Sequence, residues 1–167
     1  GNQPMIDVQN NDYHHLEITV SGTKSSADHM DIEGNLTISD DAILNVNSGS
    51  DDITIAGDWI NTSSNGFTEG TRTVTFDGTA NQTITCSTIG VETFYNLSIN
   101  KSNGSEVILN NEVALEVNNS SLNFSGTNGY ITLNGNDFTI NHWSDGKITG
   151  YDENEFFIVD QTSFIKY

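Results

Sequence analysis

Chemistry in this chain would have to come from four histidines, one cysteine and a large excess of carboxylates, 23 Asp and Glu against 5 Lys and Arg. The carboxylates that stand out are two neighbouring pairs, Asp40-Asp41 and Asp51-Asp52. If repeated turns aligned them, stacked carboxylates would share a Ca²⁺ ion that offsets their repulsion. Calcium is therefore the one cofactor to be considered, with solvated turn residues as the plainer reading. No EF-hand loop and no Gly-Gly-x-Gly-x-Asp repeat accompanies the pairs. His14 and His15 are adjacent in what reads as an extended run, which would point their rings to opposite faces and keep them from gripping one metal. His29 and His142 have no partner at ligand spacing. Asp152-Glu153-Asn154-Glu155 reads as a solvated loop, and Cys86, between Thr85 and Ser87, as a packed thiol.

Aromatic residues offer a different chemistry. Trp143 and Tyr151, flanked by Asp145, Gly146 and Gly150, form the candidate ligand-binding pair, a platform on which a sugar ring could stack. Trp59, Phe67, Phe76, Phe94, Phe124 and Phe138 instead fit core rows, because large aromatics on a half-buried strand are usually interior. Catalysis has no clear carriers. Glycoside hydrolysis needs two carboxylates facing each other across a cleft, and nothing singles out a pair. Lyase chemistry needs a basic residue beside a cation, and the only cations are Lys24, Arg72, Lys101, Lys147 and Lys166. No Gly-x-Ser-x-Gly elbow or phosphate-cradling loop is present. The chain is not expected to be an enzyme.

The elements that must position these residues are short strands. In Val107 to Ile140 the triplets Val107-Ile108-Leu109, Leu115-Glu116-Val117, Leu122-Asn123-Phe124, Ile131-Thr132-Leu133 and Phe138-Thr139-Ile140 alternate with period two. Asn, Gly and Ser fill the gaps and supply turns. Upstream, Leu16 to Val20, Met30-Asp31-Ile32, Leu36-Thr37-Ile38, Leu44-Asn45-Val46, Ile53-Thr54-Ile55, Val74-Thr75-Phe76 and Gln82-Thr83-Ile84 continue the pattern, with Ile6-Asp7-Val8 as a further strand near the start. Ser21-Gly22 reads as a turn, and Asn61 to Gly70 as the longest loop. Three such strands with their turns make a coil of about 20–25 residues, the arithmetic of a β-solenoid. The fold expected is all-β, a right-handed parallel β-helix with three short strands per coil; an antiparallel β-sandwich is the alternative. Asn at successive turns would tie coil to coil, as in Asn ladders.

An internal echo pairs Tyr13-His14-His15-Leu16-Glu17-Ile18 with Phe94-Tyr95-Asn96-Leu97-Ser98-Ile99. It divides the expected solenoid, 13–158, into units 13–93 and 94–158. Residues 1–12 would be a leader or cap, and 159–167 a cap or junction. The apolar run Phe156 to Val159 with Phe164-Ile165 would seal the last coil or meet a following domain. A net charge of −18 disfavours nucleic acid and anionic lipid as partners, and no apolar run is long enough for a membrane helix. One cysteine excludes an intrachain disulfide framework.

The phrases Gly34-Asn35-Leu36-Thr37-Ile38, Ile53-Thr54-Ile55-Ala56-Gly57-Asp58-Trp59, Gly70 to Gly78 with Gln82-Thr83-Ile84, and Phe94 to Ile99 follow one another in order. In this the chain resembles the repeat region of large secreted cell-surface, adhesin-like proteins of Bacteroidota exported by the type IX system. The resemblance covers about Tyr13 to Ile158. It implies a β-solenoid ectodomain with an extracellular, cell-surface location and a structural or adhesive role as stalk, filament or adhesin body. It also implies partners among neighbouring domains of the same protein, copies of itself or a surface glycan. A carbohydrate-binding module and a polysaccharide-degrading enzyme on the same scaffold are the alternative roles. The chain lacks a recognisable C-terminal sorting domain and is far shorter than such proteins, so it reads as a segment of a longer one.

Overall fold

The computed structural model describes residues 3–4, 12–26, 29–46, 52–87, 90–115, 120–141 and 147–166. Ile6-Asp7-Val8, Asp51 and Trp143 lie outside them. The chain opens with β1 (Gln3–Pro4) and then winds in coils of three strands. These are β2 (Asp12–Tyr13), β3 (Leu16–Ile18) and β4 (Gly22–Ser25); β5 (Met30–Ile32), β6 (Leu36–Ile38) and β7 (Ala42–Asn45); and β8 (Ile53–Ile55), β9 (Trp59–Asn61) and β10 (Phe67–Thr68). There follow β11 (Thr73–Phe76), β12 (Gln82–Cys86) and β13 (Glu92–Phe94), then β14 (Asn96–Ile99), β15 (Ser105–Leu109) and β16 (Val113–Leu115). The last are β17 (Ser121–Phe124), β18 (Gly129–Thr132) and β19 (Phe138–Ile140), and β20 (Ile148–Thr149), β21 (Glu155–Ile158) and β22 (Ile165–Lys166).

Equivalent strands of successive coils pair in parallel and build three faces. The first face runs β2-β5-β8-β11-β14-β17-β20 and the second β3-β6-β9-β12-β15-β18-β21, each seven strands deep. Every ladder between named strands is parallel; among the described residues the one antiparallel contact is the isolated bridge Asp152 to Glu155. The chain is thus a right-handed parallel β-helix of about six turns, and the sandwich alternative is excluded.

Period-two alternation becomes stacking once the coils are in register. On the first face Met30, Ile53, Val74, Leu97, Leu122 and Ile148 pair in one inward row, and Ile32, Ile55, Phe76, Ile99 and Phe124 in the next. On the second, Leu16, Leu36, Trp59, Ile84 and Leu109 do the same. These rows merge in one continuous apolar core. The outward partners are short and polar, as in Asp31, Thr54, Thr75, Ser98, Asn123 and Thr149. A shift of one residue in any coil would turn its aliphatic row outward, so the rows fix the register.

The corners are tied by side chains. Between the first and second faces the amide of Asn35 donates to His15 Nδ1 (2.9 Å), that of Asp58 to Asn35 Oδ1 (2.9 Å) and that of Thr83 to Asp58 Oδ1 (2.7 Å). The Glu106 amide donates to Asn81 Oδ1 (3.0 Å) in the same way. The expected ladder exists, but Asp and His share it with Asn.

The third face differs from the other two. It is split into β1-β4-β7-β10 and β13-β16-β19-β22, so β10 and β13 do not pair. Two strands there depart from the expectation. Gly22–Ser25 is a strand and not a turn, drawn into pairing by β1 and β7 although it carries no aliphatic residue. The supposed long loop 61–70 begins in β9 and contains β10, whose partner is Leu44–Asn45. The echoed phrases fall on different faces, Leu16–Ile18 on the second and Asn96–Ile99 on the first.

Candidate functional site

Asp40 and Asp41 are exposed and occupy the tight turn between β6 and β7, with φ of 55° and 56°. The Ala42 amide closes that turn on Ser39 O at 3.0 Å. Two consecutive positive φ angles define a type I′ turn, where Asp is among the few residues tolerated. Turn geometry gives these positions a conformational reason to be Asp. Asp52 lies at another corner, ahead of β8, where its Oδ1 accepts the Thr73 amide at 2.8 Å. The structure does not bring Asp40 and Asp41 together with Asp52. Among the described residues no three His, Cys, Asp or Glu side chains gather around one point.

His14 and His15 correct the sequence reading. They sit in a bend, and their rings meet edge to face at 4.5 Å instead of pointing to opposite faces. His29 Nε2 lies 3.3 Å from Thr54 Oγ1. Tyr151 is exposed and stands before β21. The solvated-loop reading of 152–155 fails at its last residue. Glu155 is buried at the head of β21 beside Gly129, its Oε1 lacks a hydrogen-bond partner, and burial raises its pKa.

The apolar run at the C-terminus is packed in part and exposed in part. Phe157 packs on Phe124 (5.9 Å between ring centroids) and Phe138 (5.3 Å). Phe156, Val159 and Phe164 remain exposed, although the Phe156 ring rests 4.6 Å from that of Tyr130. β20, β21 and β22 extend the three faces by one more strand each and do not cover their edges.

Two buried charged groups went unnoticed in the sequence. The first is Lys101, 1% exposed, whose Nζ donates to Gly78 O (2.8 Å), Ala80 O (2.8 Å) and Gln82 Oε1. Gln82 in turn passes its amide hydrogens to Ile55 O (2.9 Å) and Gly57 O. Three coils are linked through one buried chain of hydrogen bonds. Burial pulls the Lys101 ammonium down to about 8, against the attraction of Asp77 and Asp58. Gly129 has to be glycine here, since a Cβ would lie 2.1 Å from Lys101 Cβ.

The second is Glu92, at the break in the third face. Its partners in register are Val113 and Phe138, so a carboxylate occupies a core row. Trp59 explains its retention. The indole fills the second-face row beside Phe67 (4.8 Å) and Phe94 (5.2 Å), and its Nε1–H needs an acceptor. Glu92 Oε2 accepts from Trp59 Nε1 (3.0 Å) and from Asn61 Nδ2 (3.0 Å). Burial lifts the Glu92 carboxyl to about 7, although these donors and the Thr93 amide pull it down.

Around this carboxylate residues 63–67, Ser87, Gly90 and Val91 leave a cleft of about 170 Å³. Its wall carries Asn61, Ser63, Ser64, Asn65, Ser87 and Thr93, with Phe67 as the aromatic surface. Ser63 is buried and its Oγ has no partner. Cys86 closes one side, its thiol donating to Gly90 O at 3.1 Å. Burial pushes that thiol up to about 11, which removes it as a thiolate nucleophile at neutral pH. Among the described residues of the wall Glu92 is the only acid, and no Lys, Arg or His joins it. Among the described wall residues the site offers hydrogen-bonding groups and one carboxyl, without a second beside it. One sign in the sequence pointed to it: Glu92 has the same strand parity as Phe94, an inward position. Compared with known proteins, the chain matches no family model, no curated protein and no solved structure.

Proposed function

We propose that the chain is a non-enzymatic structural or adhesive segment of an extracellular bacterial surface protein, serving as stalk, filament or adhesin body. The observation that supports this most is how the reactive side chains are used. His15, Asp52, Asp58, Lys101 and Asp137 are all engaged in hydrogen bonds from one coil to the next. Residues that could have met a substrate instead hold the stack together. A surface of net charge −18 and short polar rows outside the core suits an exposed, soluble stalk. The resemblance of its phrases to the repeats of Bacteroidota surface proteins is what supports the location. Partners on this reading are neighbouring domains of the same protein, further copies or a surface glycan.

Glycoside hydrolysis on the same scaffold would need a second carboxyl opposite Glu92, and the described residues of the wall supply none. Antibodies raised against residues 1–167 test the proposal on intact cells that make the protein. Labelling without lysis, removed by external protease, is expected. Labelling that requires lysis contradicts it.

A further inference from the structure

Resting on the adhesive reading, we propose that the cleft between β10 and β13 binds one neutral sugar unit of a glycan. Position is the first argument. The first and second faces pair without interruption, and the third face opens at a single step between described strands, where the cleft lies. Chemistry is the second. Without a cation on the described wall, an anionic ligand would find nothing to balance its charge. A bound cation would want several oxygen ligands with more than one carboxylate among them, and Glu92 is the one carboxyl on the described wall, with Glu69 acting on it only from outside the lining. Hydroxyl and amide groups dominate the wall, so a purely apolar ligand would leave them unpaired.

What remains is a neutral molecule rich in hydroxyl groups, small enough for about 170 Å³. Its hydroxyls would donate to the remaining lone-pair positions of Glu92 and pair with the amides of Asn61 and Asn65 and with Ser63 Oγ. Ser63 Oγ is the buried donor that has no partner in the protein itself. Phe67 supplies the ring against which a sugar face can lie. The aromatic pair expected from the sequence, Trp143 and Tyr151, is not needed for this site.

The two tryptophans make the test direct. The Trp59 indole N–H bonds to Glu92 and reports the cleft by NMR, while Trp143 gives an internal reference. The whole chain is titrated with glucose, galactose, mannose and N-acetylglucosamine, and separately with calcium chloride. The expected result is a saturable shift of the Trp59 indole signal with at least one sugar and none with calcium. In Asn65→Trp, which plugs the exposed rim without touching the core, the affinity should fall at least about tenfold. Ser63→Ala should weaken it by a smaller factor, and Tyr151→Ala should leave it unchanged. No shift with any sugar overturns the proposal, as does a shift with calcium or equal binding by Asn65→Trp. That failure leaves cell-surface labelling untouched, so the two readings fall separately.

Discussion

Lys101 and Glu92 are buried charged groups in the same stack, and the fold treats them in opposite ways. Lys101 sits behind the tightly tied corner between the first and second faces. Its ammonium has an acceptor for each hydrogen, and glycines from the next coil press against it. Glu92 sits behind the wide corner leading to the third face, where pairing is broken and a cleft remains. A buried charge that is saturated by its own coils is a structural rivet. A buried charge beside an unfilled polar cleft has capacity left for a ligand.

The contrast can be broken most severely at the rivet. Lys101→Met keeps much of the volume but takes the ammonium donor from the Gly78 and Ala80 carbonyls and leaves Gln82 Oε1 with the Gly78 amide alone, and should destabilise the fold by about 3 kcal/mol in urea unfolding. The second effect is a pH dependence at Glu92. Its folded pKa, about 7, lies above the model-peptide value, so the native state binds a proton that the unfolded state releases. Stability from this group is greatest below the unfolded pKa of 4.5 and is lost as pH rises through about 7, by up to about 3 kcal/mol. Glu92→Gln should flatten that part of the stability–pH curve. Lys101 works the other way. Its folded pKa, about 8, lies below 10.5, so its contribution grows as pH rises between those values.

Gly129→Ala tests whether the rivet is as closely packed as it looks. The new methyl would collide with the Lys101 stem, at a cost of about 2 kcal/mol. The smallest effect concerns the turn at Asp40 and Asp41. Asp41→Gly relieves a positive φ and should alter the melting temperature by a few degrees at most, with no dependence on calcium. A calcium-dependent melting temperature that Asp41→Gly abolishes would restore the pair as a metal site.

The architecture was legible because it rests on local parity. Ile53-Thr54-Ile55 and Phe138-Thr139-Ile140 state their inward and outward faces without reference to any other residue, and parallel stacking follows from strands too short for a sandwich. Gly22–Ser25 was not legible, since it is a strand only through its neighbours β1 and β7. Asp40 and Asp41 drew attention as acids, and what the structure shows of them is their conformation, two positive φ angles in a tight turn. Glu92 could have been found by parity with Phe94. Lys101 could not, because its acceptors lie 19 to 23 residues earlier in the chain and meet it only after the coils close.

The central claim is that this surface binds and supports without turning anything over. Incubating the chain with a panel of neutral and acidic polysaccharides, and measuring new reducing ends and unsaturated products over time, tests that claim most directly. The account predicts no product above the protein-free control, even for a glycan whose sugars shift the Trp59 indole signal. Product formation that Glu92→Gln abolishes would contradict it and make the cleft an active site.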